Sequence, residues 1–252
     1  DIASGKIVLP KLAPMAERTI KIPYATSKPK AGSEYFVRFS ITQKKNELWA
    51  KKGFEVATAQ FKIGDEVWSA NSATANSAVK SPLTLSQNDK EVTVKGTGFS
   101  VVLDKTSGTF TSLSQGTTNL LTDNGGPRLH LWRAPHRNDD MWASRDWDKN
   151  GLREIKWSAQ DVTAKQVDPS TVQISVKLKG DGKNDFVVNH AAVYTIKGDG
   201  TITADNNISS SNPQLVVGRM GVRMLLDKQL DQFNYFGRGP MENYADRKRG
   251  FD

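Results

Sequence analysis

Apolar and polar residues alternate with period two along most of the chain, which predicts strands nearly throughout. From Glu34 to Gln43 the residues Tyr35, Val37, Phe39 and Ile41 fall on one face, and Arg38, Ser40 and Thr42 on the other. That is the pattern of a half-buried strand. The runs KIVLPKL, ERTIKIPYA and FEVATAQFKI are also short and β-rich. Prolines at 10, 14, 23 and 29 punctuate the connections, and no stretch from Ile7 to Ile63 sustains a 3.6-residue period. Strands at this spacing predict an immunoglobulin-like sandwich over residues 1–68. Residues 69–81, mostly small and polar, have nothing to bury and are expected to form a linker or an ordered crossing. From Pro82 the strand patterns lengthen, in EVTVKGTGFSVVLD, TFTSLSQ, REIKWSAQDVTAKQ, STVQISVKLKG, FVVNHAAVYTIK, TITADNNIS and VGRMGVRMLLD. Lys197-Gly198-Asp199-Gly200 and Thr106-Ser107-Gly108-Thr109 read as hairpin turns whose glycines accept positive φ. The fold class expected is all-β, with a large antiparallel sandwich over residues 82–252.

Composition narrows the chemistry. The 252 residues are 37% hydrophobic, enough for a sizeable core, and no apolar run approaches the roughly 18 residues needed to cross a bilayer. With no cysteine, disulfides, thiol nucleophiles and cysteine-based zinc sites are excluded, and three histidines (His130, His136, His190) make a zinc-hydrolase centre a poor fit. The net charge of +8 comes mainly from residues 1–80, where 13 Lys and Arg stand against 7 Asp and Glu. These cations are scattered rather than clustered, so they describe a solvated face and not a footprint for phosphate backbones. The start at Asp1 and the open end at Asp252 lead us to expect a piece of a longer chain.

Two stretches break the strand pattern. Leu129 to Asp140 reads LHLWRAPHRNDD, and Tyr235 to Lys248 reads YFGRGPMENYADRK. Pro135 keeps its predecessor out of helix, so the first stretch leaves a strand for a loop there. The Arg133 guanidinium is a rigid multi-donor fork, Asn138, Asp139 and Asp140 offer acceptors for sugar hydroxyls, and Trp132 and Trp142 offer apolar faces for a pyranose. Equally, Arg133 can pair with one of these acids to pin the loop while the tryptophans fill a core. In the second stretch, Gly237-Arg238-Gly239-Pro240 allows a tight turn but lacks the third glycine and the helix of a dinucleotide loop. Glu242 and Asp246 are either an acid/base pair or neutralise Arg238, Arg247 and Lys248, with Asn243 between them. His136 beside Asp139 and Asp140 has no partner at metal-ligand spacing, and no serine sits in a Gly-x-Ser-x-Gly elbow.

At these stretches the chain resembles the C-terminal part of family 2 glycoside hydrolases of the large, multidomain β-galactosidase type. Gly108 through Asp140 is similar to that family's "G…L…GP…L…WRAP…DND" run, and Tyr235 to Lys248 to its "GRGP.ENY.DRK" signature. Leu48-Trp49-Ala50 with Gly53 to Ala57 and Gln60-Phe61 resembles "WA..GHEVA..QF" at the end of its second immunoglobulin-like domain. The resemblance implies that domain followed by part of a galactose mutarotase-like supersandwich, truncated at its C-terminus. It also implies a separate (β/α)₈ barrel whose two glutamates hydrolyse terminal β-galactosides with retention, so no catalytic residue is expected here. Arg133, Asn138, Asp139, Trp142, Arg238, Glu242 and Asn243 are the residues expected at the substrate rim.

No cofactor is expected in this part; Mg or Na use by the parent enzyme belongs to the barrel. The implied partners are a β-galactoside held by the parent enzyme and the barrel itself, with homo-oligomerisation open for the full-length protein. Neither nucleic acid nor a membrane is expected as a partner, and bacterial cytoplasm and periplasm both remain open. An autonomous carbohydrate-binding module and a purely structural or subunit-interface element are the alternatives. His136-Arg137 and Asp140-Met141-Trp142 depart from the family pattern, so that loop is expected to differ in shape from its relatives', and with it any sugar contact carried over from them.

Overall fold

The computed structural model describes residues 2–22, 34–63, 81–123, 125–140, 143–235 and 237. It divides into two compact units, one holding the described residues up to Ile63 and the other those from Ser81 onward. Residues 69–80 of the expected linker lie outside the described residues.

In the first unit, β1 (Tyr35–Thr42) and β2 (Glu55–Ile63) form an antiparallel pair, with Val37 opposite Phe61 and Phe39 opposite Ala59. The expected alternation is seen in β1: Tyr35, Val37 and Phe39 are partly buried, while Phe36, Arg38 and Ser40 are exposed. Phe39 meets Phe61 edge-on at 5.9 Å, and the exposed face carries an Arg38–Glu55 pair at 3.3 Å. Residues 2–22 differ from expectation. KIVLPKL and the described part of ERTIKIPYA form no strand; between them lies a turn in which the Ala16 amide donates to the Ala13 carbonyl. Period-two patterning makes a segment fit for a sheet but supplies no partner, and Pro10 and Pro14 remove two ladder donors.

The second unit is an antiparallel sandwich. Its first sheet has the order β3 (Thr84–Gln87), β4 (Glu91–Gly96), β5 (Phe99–Asp104), β6 (Thr109–Gln115), β7 (Thr118–Asn119). The second sheet runs from β12 (Ile202–Ser210) through β11 (Val187–Lys197) and β10 (Thr171–Asp181) to β9 (Lys156–Asp168), and a two-stranded sheet joins β8 (Arg128–His130) to β13 (Gly221–Arg223). Strict alternation explains the core. Val172, Ile174, Val176 and Leu178 of β10 and Ala192, Tyr194 and Ile196 of β11 are buried against Val92, Val94, Val101, Leu103 and Phe110 of the facing sheet. Phe110 and Tyr194 meet across the layers with ring centroids 4.7 Å apart.

The turns follow the glycine reading with one exception. Gly108 (φ 63) closes β5 to β6, and Gly200 (φ 84) closes β11 to β12. Gly198, expected to share that role, has no positive φ; a Cβ there would run into the Ser81 carbonyl, so close backbone approach is what requires glycine. Beside the sandwich lies a second core of Leu129, Leu131, Ala143, Trp147, Leu152, Phe186 and Val188. It is roofed by two short helices that strand patterning did not announce, α1 (Arg137–Asp140) and α2 (Ser144–Lys149). Among the described residues no helix is long and apolar enough to cross a membrane.

Ile174→Ala, which empties a site only 1% exposed in the main core, is expected to lower unfolding free energy by about 2–5 kcal/mol in urea titrations. Gly108→Ala should also destabilise, because the new Cβ meets both an unfavourable φ and the Leu178 side chain. Unchanged urea midpoints in both variants would contradict this account of the sandwich.

Candidate functional site

The WRAP loop is placed by strand register. β8 and β13 pair with His130 opposite Gly221 and Leu129 opposite Val222. Continued in the same antiparallel register, the ladder brings Arg133 to Gly218, and Arg133 Nε donates to the Gly218 carbonyl at 3.0 Å. Leu129 and Leu131 point into the second core, as alternate residues of an extended segment must. Pro135 closes the extended stretch and α1 begins two residues later.

Arg133 and Asp139 form a bidentate pair, with Nη1 donating to Oδ2 at 2.6 Å and Nη2 to Oδ1 at 2.9 Å. Asp139 is 2% exposed. Its Oδ2 also accepts the His136 backbone N–H at 2.9 Å, so Asp139 acts as the third-position acid that reaches back to cap the start of α1. The hydrogen bond from Arg133 holds the Asp139 carboxyl below the usual carboxylate range against the opposing effect of burial, helped by the His136 amide. A carboxylate held ionised in this way is a poor proton donor. The His136 ring, 60% exposed, approaches the same oxygen at 3.4 Å.

Beneath this pair lies Trp147, 1% exposed. Its indole N–H donates to the Val216 carbonyl at 2.7 Å, and the Arg133 guanidinium sits 5.3 Å from its ring centroid. A Cβ on Gly218 would lie 3.0–3.1 Å from the same ring, so the 216–218 backbone is pressed between Trp147 and Arg133. Trp147 is thus a core residue and not part of a sugar-facing surface. Trp132 is half-buried, with the Arg153 guanidinium 5.0 Å from its ring.

The structure therefore brings Arg133 and Asp139 together and leaves Asn138 exposed, its amide without a partner among the described residues. Asp140 ends α1, while Trp142, Arg238, Glu242 and Asn243 lie outside the described residues, as do Asp246, Arg247 and Lys248. Gly218 and the Val216 carbonyl were missed from sequence, since backbone acceptors carry no residue-type signal. His130 ends β8, and burial followed by the charges of Arg223 and Arg219 holds its proton affinity below the usual histidine value. His190 faces the core from β11, with Nε2 2.9 Å from Asn206 Oδ1. Among the described residues no three His, Asp or Glu side chains converge to hold a metal ion.

The pair sets a pH dependence. Because Asp139 titrates lower folded than unfolded, its contribution is complete above the unfolded value near 4 and is lost as pH falls through the lower folded value. The melting temperature of the second unit should fall on acidification below about pH 4. Asp139→Asn should melt lower at pH 7 and show a shallower acid decline by near-ultraviolet circular dichroism. An acid limb unchanged by the substitution would refute the assignment.

Comparison with known proteins fits this architecture. Residues 95–252 match the family described as "Beta galactosidase small chain", and residues 1–64 match "Beta-galactosidase, domain 4". A β-galactosidase of Psychromonas ingrahamii is 28% identical over 98% of this chain and 24% of its own length. One from Priestia megaterium is 31% identical over 86% of the chain and 20% of its own length. One from Kluyveromyces lactis is 24% identical over 79% of the chain and 19% of its own. The chain thus spans about a quarter or less of the curated relatives it matches. With the small-chain match covering well over half of its residues, the chain belongs to the β-galactosidase family.

Proposed function

We propose that these 252 residues are the non-catalytic, C-terminal portion of an enzyme that hydrolyses terminal β-D-galactosides with retention. In this reading Arg133, Asn138 and Asp139 form part of the rim of the active-site cleft, and the sandwich serves as its scaffold. Retention requires two carboxyl groups about 5 to 5.5 Å apart, one of them able to give a proton. The observation that carries the proposal is the state of Asp139, which is buried, ionised and shared between a guanidinium fork and a helix-capping amide. That geometry positions a loop rather than moving a proton. It leaves Asn138, exposed on α1, as the polar group free to meet a substrate hydroxyl. The galactoside, the barrel supplying the glutamates and any self-assembly belong to the full-length enzyme.

The same ion pair favours a second reading, in which the loop is structural and touches no sugar. Arg133 reaches Asp139, the Gly218 carbonyl and the Trp147 ring at once, which is enough to account for its presence without a ligand.

The 252-residue chain is expected to show no turnover of a chromogenic galactoside. Turnover abolished by Asp139→Asn or Glu242→Gln would overturn the non-catalytic assignment. In the full-length enzyme, Asn138→Ala should raise KM about two- to ten-fold, the value of one neutral hydrogen bond, with kcat little changed. An unaltered KM would favour the structural reading.

A further inference from the structure

On the second unit, apart from the Arg133 loop, a cleft of about 370 Å³ opens between three segments. These are the C-terminal end of α2, the turn joining β10 to β11, and the stretch that follows β12. We infer that this cleft is a binding site for a neutral saccharide.

Its walls are tied to one another. The Lys183 amide donates to the Asn150 carbonyl at 3.0 Å, and Asn184 Nδ2 donates to the Lys149 carbonyl at 2.6 Å, fastening the turn to the end of α2. The third wall is held to α2 by Trp147, whose indole N–H reaches the Val216 carbonyl. It is also folded on itself, with Asn212 Oδ1 accepting the Gln214 amide at 3.2 Å. Asn184 and Asp185 adopt positive φ (51 and 59), a conformation that asparagine and aspartate tolerate better than most residues. The cleft is thus formed before any ligand arrives, which lowers the ordering cost of binding.

The chemistry of the lining selects the ligand. Asn184 and Asn150 each commit Nδ2 to a backbone carbonyl and leave Oδ1 as an acceptor. Asn212 commits Oδ1 and leaves its NH₂ as a donor, and the Gln214 side chain offers both. Among the described residues these groups have no other partner. Groups fixed at one end and open at the other, donors and acceptors mixed, match hydroxyls, which do both. Asp146 and Lys149 add one charge of each sign, so among the described residues the lining carries no net charge and has no cation cluster for a phosphate. Leu215 and Val216 give an apolar strip for the C–H face of a sugar ring, while among the described residues no aromatic side chain lines the cleft to stack a planar base.

Lactose titrated into the 252-residue chain, followed by ¹H–¹⁵N spectra, tests the assignment. Expected are saturable shifts in the millimolar range at the side-chain amides of Asn150, Asn184, Asn212 and Gln214. Gln214→Ala combined with Asn184→Gly, which keeps the backbone conformation, should weaken binding about ten-fold or more while leaving the remaining spectrum in place. No shifts at high lactose, or saturation by inorganic phosphate in place of lactose, would overturn the inference. Shifts confined to Arg133–Asn138 would also overturn it, while supporting a sugar-facing rim.

Discussion

Two antiparallel sheets share one core only if every strand sends alternate side chains inward, and the second unit depends on that constraint. β10 and β11 obey it over their whole length, so Val172 to Leu178 and Ala192 to Ile196 form one continuous apolar surface. The same strands run on beyond the main core, where Phe186 and Val188 begin the smaller core that carries the candidate site. The loop is therefore anchored to a buried core that shares its strands with the main sandwich.

On that base the polar groups act together. Arg133 is aligned by register with Gly218, paired with Asp139 and seated over Trp147. Asp139 simultaneously caps α1. Burying such a pair costs desolvation, which is offset only when the remaining donors and acceptors are satisfied, and here both carboxylate oxygens are engaged. An arrangement of this kind holds a loop in one shape. On the proposed reading it leaves reaction chemistry to other residues and gives the loop a positioning or structural task.

The amide-lined cleft follows different logic. Its residues come from a helix end, a hairpin turn and an irregular segment, and each amide spends one end on structure. What is left over is directed polar capacity in a concave place, the usual ground for recognising small polar molecules.

Much was legible in the residues alone. Period-two patterning located the long strands of the second unit, Gly108 and Gly200 marked real turns, and the WRAP and GRGP stretches pointed to the family, because these signals are local in sequence. Alternation could not say whether residues 7–22 would find a strand partner, and it did not announce α1 and α2, whose few turns are too short to show a period. Nor could composition choose between Arg133 as a sugar ligand and Arg133 as a pin. The pairing itself depends on Asp139, six residues away, and on the Gly218 carbonyl, 85 residues away. Sequence determined which faces must be buried and which residue types gather in the loop. Tertiary structure alone decided which of those polar groups are spent on one another, because pairing depends on distances that only the folded register creates.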